Sequence, residues 1–437
     1  MSLFLYIFVE AIHPSPQLTM KTYTIAQVAE MLDLTQKAVR RLIAGNSLEA
    51  SKSGTRYAIS DAAVRRYRRN LHKSAVQPSL FDAPKRMSVK APKMPEGEVN
   101  WIDISEAWNA VEPSAMTFVD LFCGAGGLSK GLEMAGLEGI CGLDFFKEAC
   151  MTYERNFDHP FVNGDIKRPE NKRRFYDEVA RRLAGRHLSV VAGGFPCQGF
   201  SMAGNRIVDD PRNSLYLELV AIVKHLQPDF VVCENVKGLR SMLGGKVERK
   251  IIDDFRAIGY EMNVAVLCAA DYFTPQKRER VIFIGNRLGL KNYHPKPLLE
   301  PADYVTTGSA IADLMDRPDD PAFNHVATRH RPDMARRMLE LEEGKSLYKG
   351  YSDAWKKCPW NEASCTIKEN HGGVNVHPKL PRVLTAREMA RLQSFPDDFI
   401  FEGTKNKQLV QIGNAVPPLL GKAIGLALRY SNNDLRI

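Results

Sequence analysis

Met116-Thr117-Phe118-Val119-Asp120-Leu121-Phe122-Cys123-Gly124-Ala125-Gly126-Gly127-Leu128 is the stretch from which the rest of the chain can be read. Met116 to Phe122 reads as a short apolar strand, and Cys123 to Leu128 as a tight glycine turn. Leu132, Ala135 and their neighbours then read as a helix. Strand, glycine turn and helix in that order make the first unit of a parallel α/β sheet. In such a unit the glycines let a cofactor approach the backbone, although the same turn also serves ordinary strand-to-helix packing.

Working outward, Glu138 to Leu143 reads as the next strand. It ends at Asp144, about 20 residues past the glycine loop, where an acid can accept hydrogen bonds from ribose hydroxyls. A third strand precedes Asn163-Gly164-Asp165-Ile166, and Asp165 is placed to receive an adenine amino group. Two carboxylates at successive strand ends favour a nucleoside cofactor, and the absence of a Walker-type Gly-Lys-Ser/Thr argues against a nucleoside triphosphate. Further strands at 188–192, 230–234, 262–267 and 281–285 alternate with helical stretches near 170–184, 213–226 and 247–258. That rhythm predicts a mostly parallel, doubly wound, Rossmann-like sheet with its ligands at the carboxyl ends of the strands.

Three polar constellations fall at those ends: Gly193-Gly194-Phe195-Pro196-Cys197-Gln198-Gly199-Phe200-Ser201, Glu234-Asn235-Val236, and Gln276-Lys277-Arg278-Glu279-Arg280. A proline-preceded cysteine in a glycine-flanked loop is poor helix or strand material, so packing alone explains Cys197 badly. Most of the other seven cysteines sit in apolar runs and read as small buried hydrophobes. The eight show no CxxC and no Cys/His ligand spacing, so neither a zinc site nor a disulfide framework is expected, and no metal.

On these residues the sequence resembles the DNA cytosine-5 methyltransferases. Residues 118–127 resemble their cofactor loop, Gly194 to Gln198 their nucleophile loop and Glu234 to Val236 their acid. Gln276 to Arg280 and Gln411-Ile412-Gly413-Asn414-Ala415-Val416-Pro417-Pro418 complete the set, in family order across residues 117–431. The resemblance implies S-adenosylmethionine as cofactor, bound by the loop of Gly124, Gly126, Gly127 and Leu128, with Phe122 packing on the adenine and Asp144 on the ribose. Asp165 and Ile166 would flank the purine, Pro196 and Leu215 line the pocket, and Asn414, Ala415 and Val416 return to it from the C-terminus. Cys123 in the glycine loop and Asp144 in place of the commoner Glu are mild departures from the family pattern.

The residue types suit the chemistry. Cytosine C5 is too weak a nucleophile to take a methyl group until C6 has been attacked, and a thiolate at Cys197 suits that attack. Glu234, as a protonated or hydrogen-bonding carboxyl at N3, would stabilise the developing charge, and Arg280 would hold O2. Arg278 and Arg280, two apart on a strand, are expected to share a face with the base; an ordinary salt-bridged pair is the alternative. The target base must leave the stack for any of this to occur.

The N-terminal 115 residues lie outside the resemblance, and they hold the charge. Residues 21–93 carry fifteen Lys and Arg against five acids, while the whole chain nets +9. A basic excess confined to one small module is the footprint of phosphate binding, with a solvated basic face as the bland alternative. Thr24 reads as the cap of a short helix with Ile25, Val28, Ala29 and Leu32 inward. A second helix capped by Thr35 turns Val39, Leu42 and Ile43 inward and Lys37, Arg40 and Arg41 outward. Residues 48–50 and 56–59 are expected to flank a hairpin wing, and Ser60 to cap a third helix over 61–70. The order resembles the excisionase-like winged helix-turn-helix family.

The domain reading is a disordered extension over 1–20, the winged module over 21–71 and a proline- and lysine-rich linker over 72–115. A catalytic domain over 116–289, a target-recognition domain over 290–381 and a C-terminal return over 382–437 follow. In the recognition segment, Lys368, Asn370 and His371 beside a glycine pair suit a loop reading base edges, though His371 equally fits a structural turn. The 437 residues, 44% hydrophobic and 25% charged, fit a folded protein, and no apolar run approaches a membrane span.

The reading that results is a modification enzyme methylating a specific duplex DNA sequence. Its expected setting is cytoplasmic, as a monomer beside a restriction endonuclease that acts at the same site without a stable complex. An RNA methyltransferase sharing Cys197 and Glu234, and a DNA-binding regulator with a vestigial methylase half, are the rivals. A dehydrogenase fits poorly, because the glycine loop lacks GxGxxG spacing.

Overall fold

The computed structural model describes residues 22–32, 35–44, 48–53, 56–64, 66–67, 99–196, 214–348, 350, 355–368 and 374–434. The chain divides into two compact units, residues 1–77 and 78–437.

In the first unit β1 (Thr22–Tyr23) leads into α1 (Ile25–Met31), whose start is fixed by a reciprocal cap. The Gln27 N–H donates to Thr24 Oγ1 at 3.3 Å and the Thr24 N–H to Gln27 Oε1 at 2.9 Å. After α2 (Gln36–Ala44), β2 (Ser51–Ser53) and β3 (Arg56–Ser60) form the wing, with β3 between β1 and β2 in an antiparallel sheet. Lys37, Arg40 and Arg41 are exposed, while Val28, Val39, Leu48 and Ile59 are buried. The first wing strand therefore lies at 51–53 rather than over 48–50, because Leu48 is committed to the core. The short β1 was not legible in the sequence.

The second unit opens earlier than expected. β4 (Asn100–Ile102) and α3 (Ser105–Asn109) precede the glycine-loop strand, and Ile104 and Trp108 join an apolar cluster with Phe118, Leu132 and Ile424. The linker reading of 72–115 is thus corrected for residues 99–115, which are built into the catalytic unit. Two elements of three and five residues are too short to display a hydrophobic period.

The central sheet comprises β5 (Thr117–Leu121), β6 (Glu138–Asp144), β7 (Phe161–Asn163), β8 (Val190–Gly193), β9 (Phe230–Val236), β10 (Glu261–Cys268) and β11 (Glu279–Asn286), in the order β10-β11-β9-β8-β5-β6-β7. Five strands pair in parallel and β11 runs antiparallel to both its neighbours, so the mostly parallel sheet is as expected. Alternation along β5 sends Val119 and Leu121 into the core on one face and Phe118 into the core on the other. β12 (Tyr293–Pro295) pairs in parallel with β4 in a separate two-stranded sheet. The chain crosses from β6 and β7 on one side of β5 to β8 on the other, which leaves a crevice above the carboxyl ends of β5 and β8.

The helices that matter for the crevice are α4 (Gly127–Met134), α5 (Lys147–Asn156), α6 (Pro169–Leu183), α7 (Ser214–Leu226) and α8 (Lys246–Ala257). Among the described residues of 300–381 the α-helices are α9 (Thr307–Ile311) and α10 (Pro332–Glu340), beside three 3-10 turns. The C-terminal segment returns as α11 (Ala386–Leu392), α12 (Lys405–Asn414) and α13 (Pro418–Ser431). α13 packs on α4 so closely that a Cβ on Gly131 would lie 2.5 Å from Gly421 Cα.

Candidate active site

The crevice is a cavity of about 760 Å³. Its first wall is the glycine loop. Phe122 and Gly124 adopt left-handed backbone, at φ +56° and +54°, a conformation that costs a side-chain-bearing residue such as Phe122. The Gly124 N–H donates to Asp144 Oδ2 at 2.9 Å and the Phe146 N–H to Asp144 Oδ1 at 2.8 Å, so the acid ending β6 ties the loop after β5. Burial raises the Asp144 carboxyl above its ordinary range, against the pull of these N–H groups. Gly126 and Gly127 stand behind the loop. Cβ atoms there would meet the Phe157 ring at 2.4 Å and the Val416 carbonyl oxygen at 2.1 Å.

Phe122, Gly124, Asp144, Asp165 and Ile166 face the cavity from the ends of β5, β6 and β7 and the loops that follow them, and Leu128 from the first turn of α4. Asp165 is exposed and accepts the Lys167 N–H at 3.0 Å, and Ile166 is buried beneath it. Pro196 and Leu215 line the opposite side, and Asn414, Ala415 and Val416 close the C-terminal side.

The second wall belongs to β8, β9 and β11. Glu234 Oε1 and Arg280 Nε lie 2.8 Å apart, both side chains 13% exposed. Asn235 donates from Nδ2 to the Phe195 carbonyl at 2.9 Å and accepts the Val236 N–H on Oδ1 at 2.8 Å, which fixes the chain leading to Pro196. Cys197, next after Pro196, lies outside the described residues, as do Asn370 and His371.

A cavity with backbone N–H groups, an anchored acid, apolar walls and the buried acid Asp120 fits a cationic nucleoside such as S-adenosylmethionine. Among the described residues no group of His, Cys, Asp and Glu could hold a metal ion, and no helix is long and apolar enough to cross a membrane.

The family profile described as C-5 cytosine-specific DNA methylase matches residues 116–429, and a helix-turn-helix profile matches residues 22–72. The chain belongs to the C-5 cytosine-specific DNA methylase family. It is 37% identical to the Type II methyltransferase M1.HphI of Haemophilus parahaemolyticus over 335 residues, 73% of this chain and 88% of that one. It is 32% identical to M.DdeI of Desulfomicrobium norvegicum, over 74% and 90% of the two chains. A crystal structure of a prophage-encoded E. coli protein described as a DNA modification methyltransferase superposes with a TM-score of 0.59 at 26% identity, covering 73% of this chain and all of that one. The protein is a DNA (cytosine-5-)-methyltransferase that uses S-adenosylmethionine.

Within this C5-methyltransferase, Arg278 has a structural task beside its place at the cavity. Arg278 lies one residue ahead of β11, is 3% exposed, and donates from its two terminal nitrogens to the carbonyls of Ile367 and Gly413, each at 3.0 Å. Burial, then Arg280, work against its charge. It lines the cavity together with Arg280 while its two terminal nitrogens pin two segments to the sheet, and its Nε is buried with no hydrogen-bond partner among the described residues. Gln276 acts likewise, accepting the Ile367 N–H at 2.8 Å. Lys368, next after Ile367, lines the catalytic cavity.

Among the cavity residues of the methyltransferase that the sequence did not single out are Phe145 and Lys407. Phe145 is 73% exposed at the rim beside Asp144, and Lys407 reaches the cavity from α12, on which Gln411 of the quoted motif also lies. An aromatic directly after the strand-end acid was a usable signal for Phe145. Lys407, whose ammonium sits 4.9 Å over the Phe146 ring, gave none, since its place depends on the chain's return.

Proposed function

We propose that this methyltransferase modifies a flipped-out cytosine in a specific duplex sequence through a covalent bond from Cys197 to C6, as the modification half of a restriction-modification system. The observation that carries the reading is the paired Glu234 and Arg280 facing the same cavity as the glycine loop, with the chain held at Phe195 two residues before Cys197. S-adenosylmethionine supplies an electrophilic methyl group. Asp144 orients the ribose and Asp165 the adenine. The Cys197 thiolate adds to C6, Glu234 meets N3, and Arg280 keeps that carboxyl aimed and reaches O2, so C5 gains electron density. After C5 has taken the methyl group it loses its proton, the Cys197–C6 bond breaks and the thiolate is restored. Lys368, at the cavity wall, supports a contact to the backbone of the flipped nucleotide. Duplex DNA bearing 5-fluorocytosine tests the route, since it should trap a covalent complex that Cys197→Ser abolishes. Turnover by that variant without an adduct would refute it, and bisulfite sequencing gives the target site.

A second reading concerns the N-terminal unit. A recognition segment already belongs to the catalytic unit, so Lys37, Arg40 and Arg41, exposed on α2, support a separate DNA site such as the enzyme's own promoter or that of a linked endonuclease gene. Footprinting of the full chain and of the chain without residues 1–98 on upstream DNA tests this. A discrete site that disappears with the unit supports repression, whereas uniform weak protection makes the unit a phosphate clamp.

A further inference from the structure

Asp120 is an acid in the middle of an apolar strand, 1% exposed and facing the cavity beneath the glycine loop. Its Oδ2 accepts from Ser129 Oγ at 2.6 Å, and its Oδ1 is buried with no hydrogen-bond partner among the described residues. From Ser129 the contacts continue in a single row. Ser129 Oγ lies 2.8 Å from the Tyr153 hydroxyl, and that hydroxyl 2.7 Å from His159 Nε2. His159 Nδ1 lies 3.4 Å from Glu133 Oε1, whose side chain is 30% exposed. Side chains from β5, α4 and α5 and the loop beyond α5 thus join the cavity to the surface through groups that can each accept one proton and pass on another.

The charges that act most strongly on Asp120 are of one sign, although Arg278 and Arg280 line the same cavity. Asp144 approaches from β6 and Glu234 from β9, with the Cys123 thiol and the Tyr153 hydroxyl as the other titratable neighbours. Arg280 is already paired with Glu234. A carboxylate buried among acids with a lone oxygen is costly unless it is neutral or a cation comes to it. Burial, reinforced by Asp144 and Glu234 and opposed by the Ser129 bond, pushes Asp120 up to about 7.

S-Adenosylmethionine carries a positive sulfonium, whereas the product left after methyl transfer carries a neutral thioether and is otherwise the same molecule. We propose that Asp120 is the residue by which the cavity distinguishes the charged cofactor from its uncharged product, giving up its proton when the cofactor binds and regaining it once the methyl group has gone. The O–H bond of the carboxyl breaks, its electron pair stays on the carboxylate, and a proton is passed along Ser129, Tyr153 and His159 toward the Glu133 end. Nothing is oxidised or reduced. The consequence is that product binding is weakened while the cofactor is held, and that the preference depends on pH. The α-amino group is more acidic in the cofactor than in the product because of the nearby sulfonium, so its share is read from the same titrations with Asp120→Asn and subtracted.

The test is calorimetric binding of S-adenosylmethionine and S-adenosylhomocysteine to the full chain between pH 6 and 8.5, in buffers of unlike ionisation enthalpy. Near pH 7 the cofactor should release a fraction of a proton that the product does not. The ratio of product Kd to cofactor Kd should rise by about tenfold across the range, equivalent to one pKa unit. Asp120→Asn should leave only the α-amino share of the proton release and of the rise while still binding S-adenosylhomocysteine. Ser129→Ala keeps the carboxyl but removes a bond that lowers its pKa, so the rise should move to higher pH; this variant serves if Asp120→Asn fails to fold. Equal proton release for the two ligands, or a pH-dependent ratio unchanged in Asp120→Asn or unshifted in Ser129→Ala, would overturn the proposal.

Discussion

Arg280 reaches Glu234 diagonally across the β9–β11 pair. Arg280 stands opposite Val236, Ile282 opposite Glu234, and the guanidinium Nε meets the carboxylate at 2.8 Å with both side chains nearly enclosed. An enclosed ion pair is costly to break from one side only, because the surviving charge is left without its partner. Glu234→Gln should lower the single-turnover methylation rate by about 10²–10³-fold, the loss typical of removing one donor from a charge-stabilising site. Arg280→Lys should fall between that variant and the natural enzyme, since an ammonium keeps the charge but not the planar fork. A Glu234→Gln rate within twofold of the natural one would remove the pair from the mechanism.

The two kinds of glycine in the cofactor loop should behave differently. Gly124 has open space where a Cβ would go, so Gly124→Ala should cost only the left-handed backbone, about 1–2 kcal/mol of stability. A Cβ on Gly127 would collide with the Val416 carbonyl, so Gly127→Ala must part the loop from the C-terminal return. Its affinity for S-adenosylmethionine should fall at least about tenfold, more than that of Gly124→Ala, as calorimetry would show.

Most of the sheet was legible because buried parallel strands are continuous apolar runs, and β5 to β11 each fall where such a run was read. Their direction was not, since β11 is as apolar as its neighbours and only the short connection from β10 turns it antiparallel. In the site, Asp144, Glu234 and Arg280 stood out as charges at the ends of apolar strands. Arg278 looked the same in sequence. What separates it from Arg280 is where the Ile367 and Gly413 carbonyls come to lie, and those are 89 and 135 residues away along the chain. Lys407 and Trp108 were missed for the same reason, their roles being set by contacts with remote segments.

Stability of the catalytic unit should fall in mild acid. His294 is fully buried on β12, with Nε2 3.2 Å from the Ile282 carbonyl, and burial pushes it down to about 4. In the unfolded chain the ring takes a proton near 6.5, so between these values the unfolded state binds a proton that the folded state refuses. The stability is complete above about pH 6.5 and is lost progressively toward pH 4, by about 3 kcal/mol for this ring. His377, also pushed down to about 4 by burial, adds to the same trend. Urea midpoints at pH 5 and 7 should differ accordingly, and less so in His294→Gln. An unchanged difference in that variant would show that His294 does not carry its share.

The boundary of the catalytic unit can be tested by truncation. Residues 100–102 pair with 293–295 in register, Lys296 donates its N–H to the Ile102 carbonyl at 2.8 Å, and Trp108 stacks on Phe273 with ring centroids 5.7 Å apart. Lys422 adds a bond to the Trp108 carbonyl at 2.7 Å and places its ammonium 4.4 Å over the indole, and Arg429 donates to the Glu112 carbonyl at 2.7 Å. Losing a buried tryptophan alone costs about 3–5 kcal/mol, a large part of the stability of an ordinary domain. A chain starting at residue 99 should therefore fold and methylate, with weaker DNA binding and a shallower salt dependence now that the basic unit is gone. A chain starting at residue 116, although it keeps every motif of the methylase family, should be insoluble or melt far below the other. Comparing the two by thermal melting and by methyl transfer to plasmid DNA decides the matter. Equal melting temperatures would return residues 99–115 to the linker, and an inactive but folded chain from residue 99 would make the N-terminal unit part of the catalytic machinery.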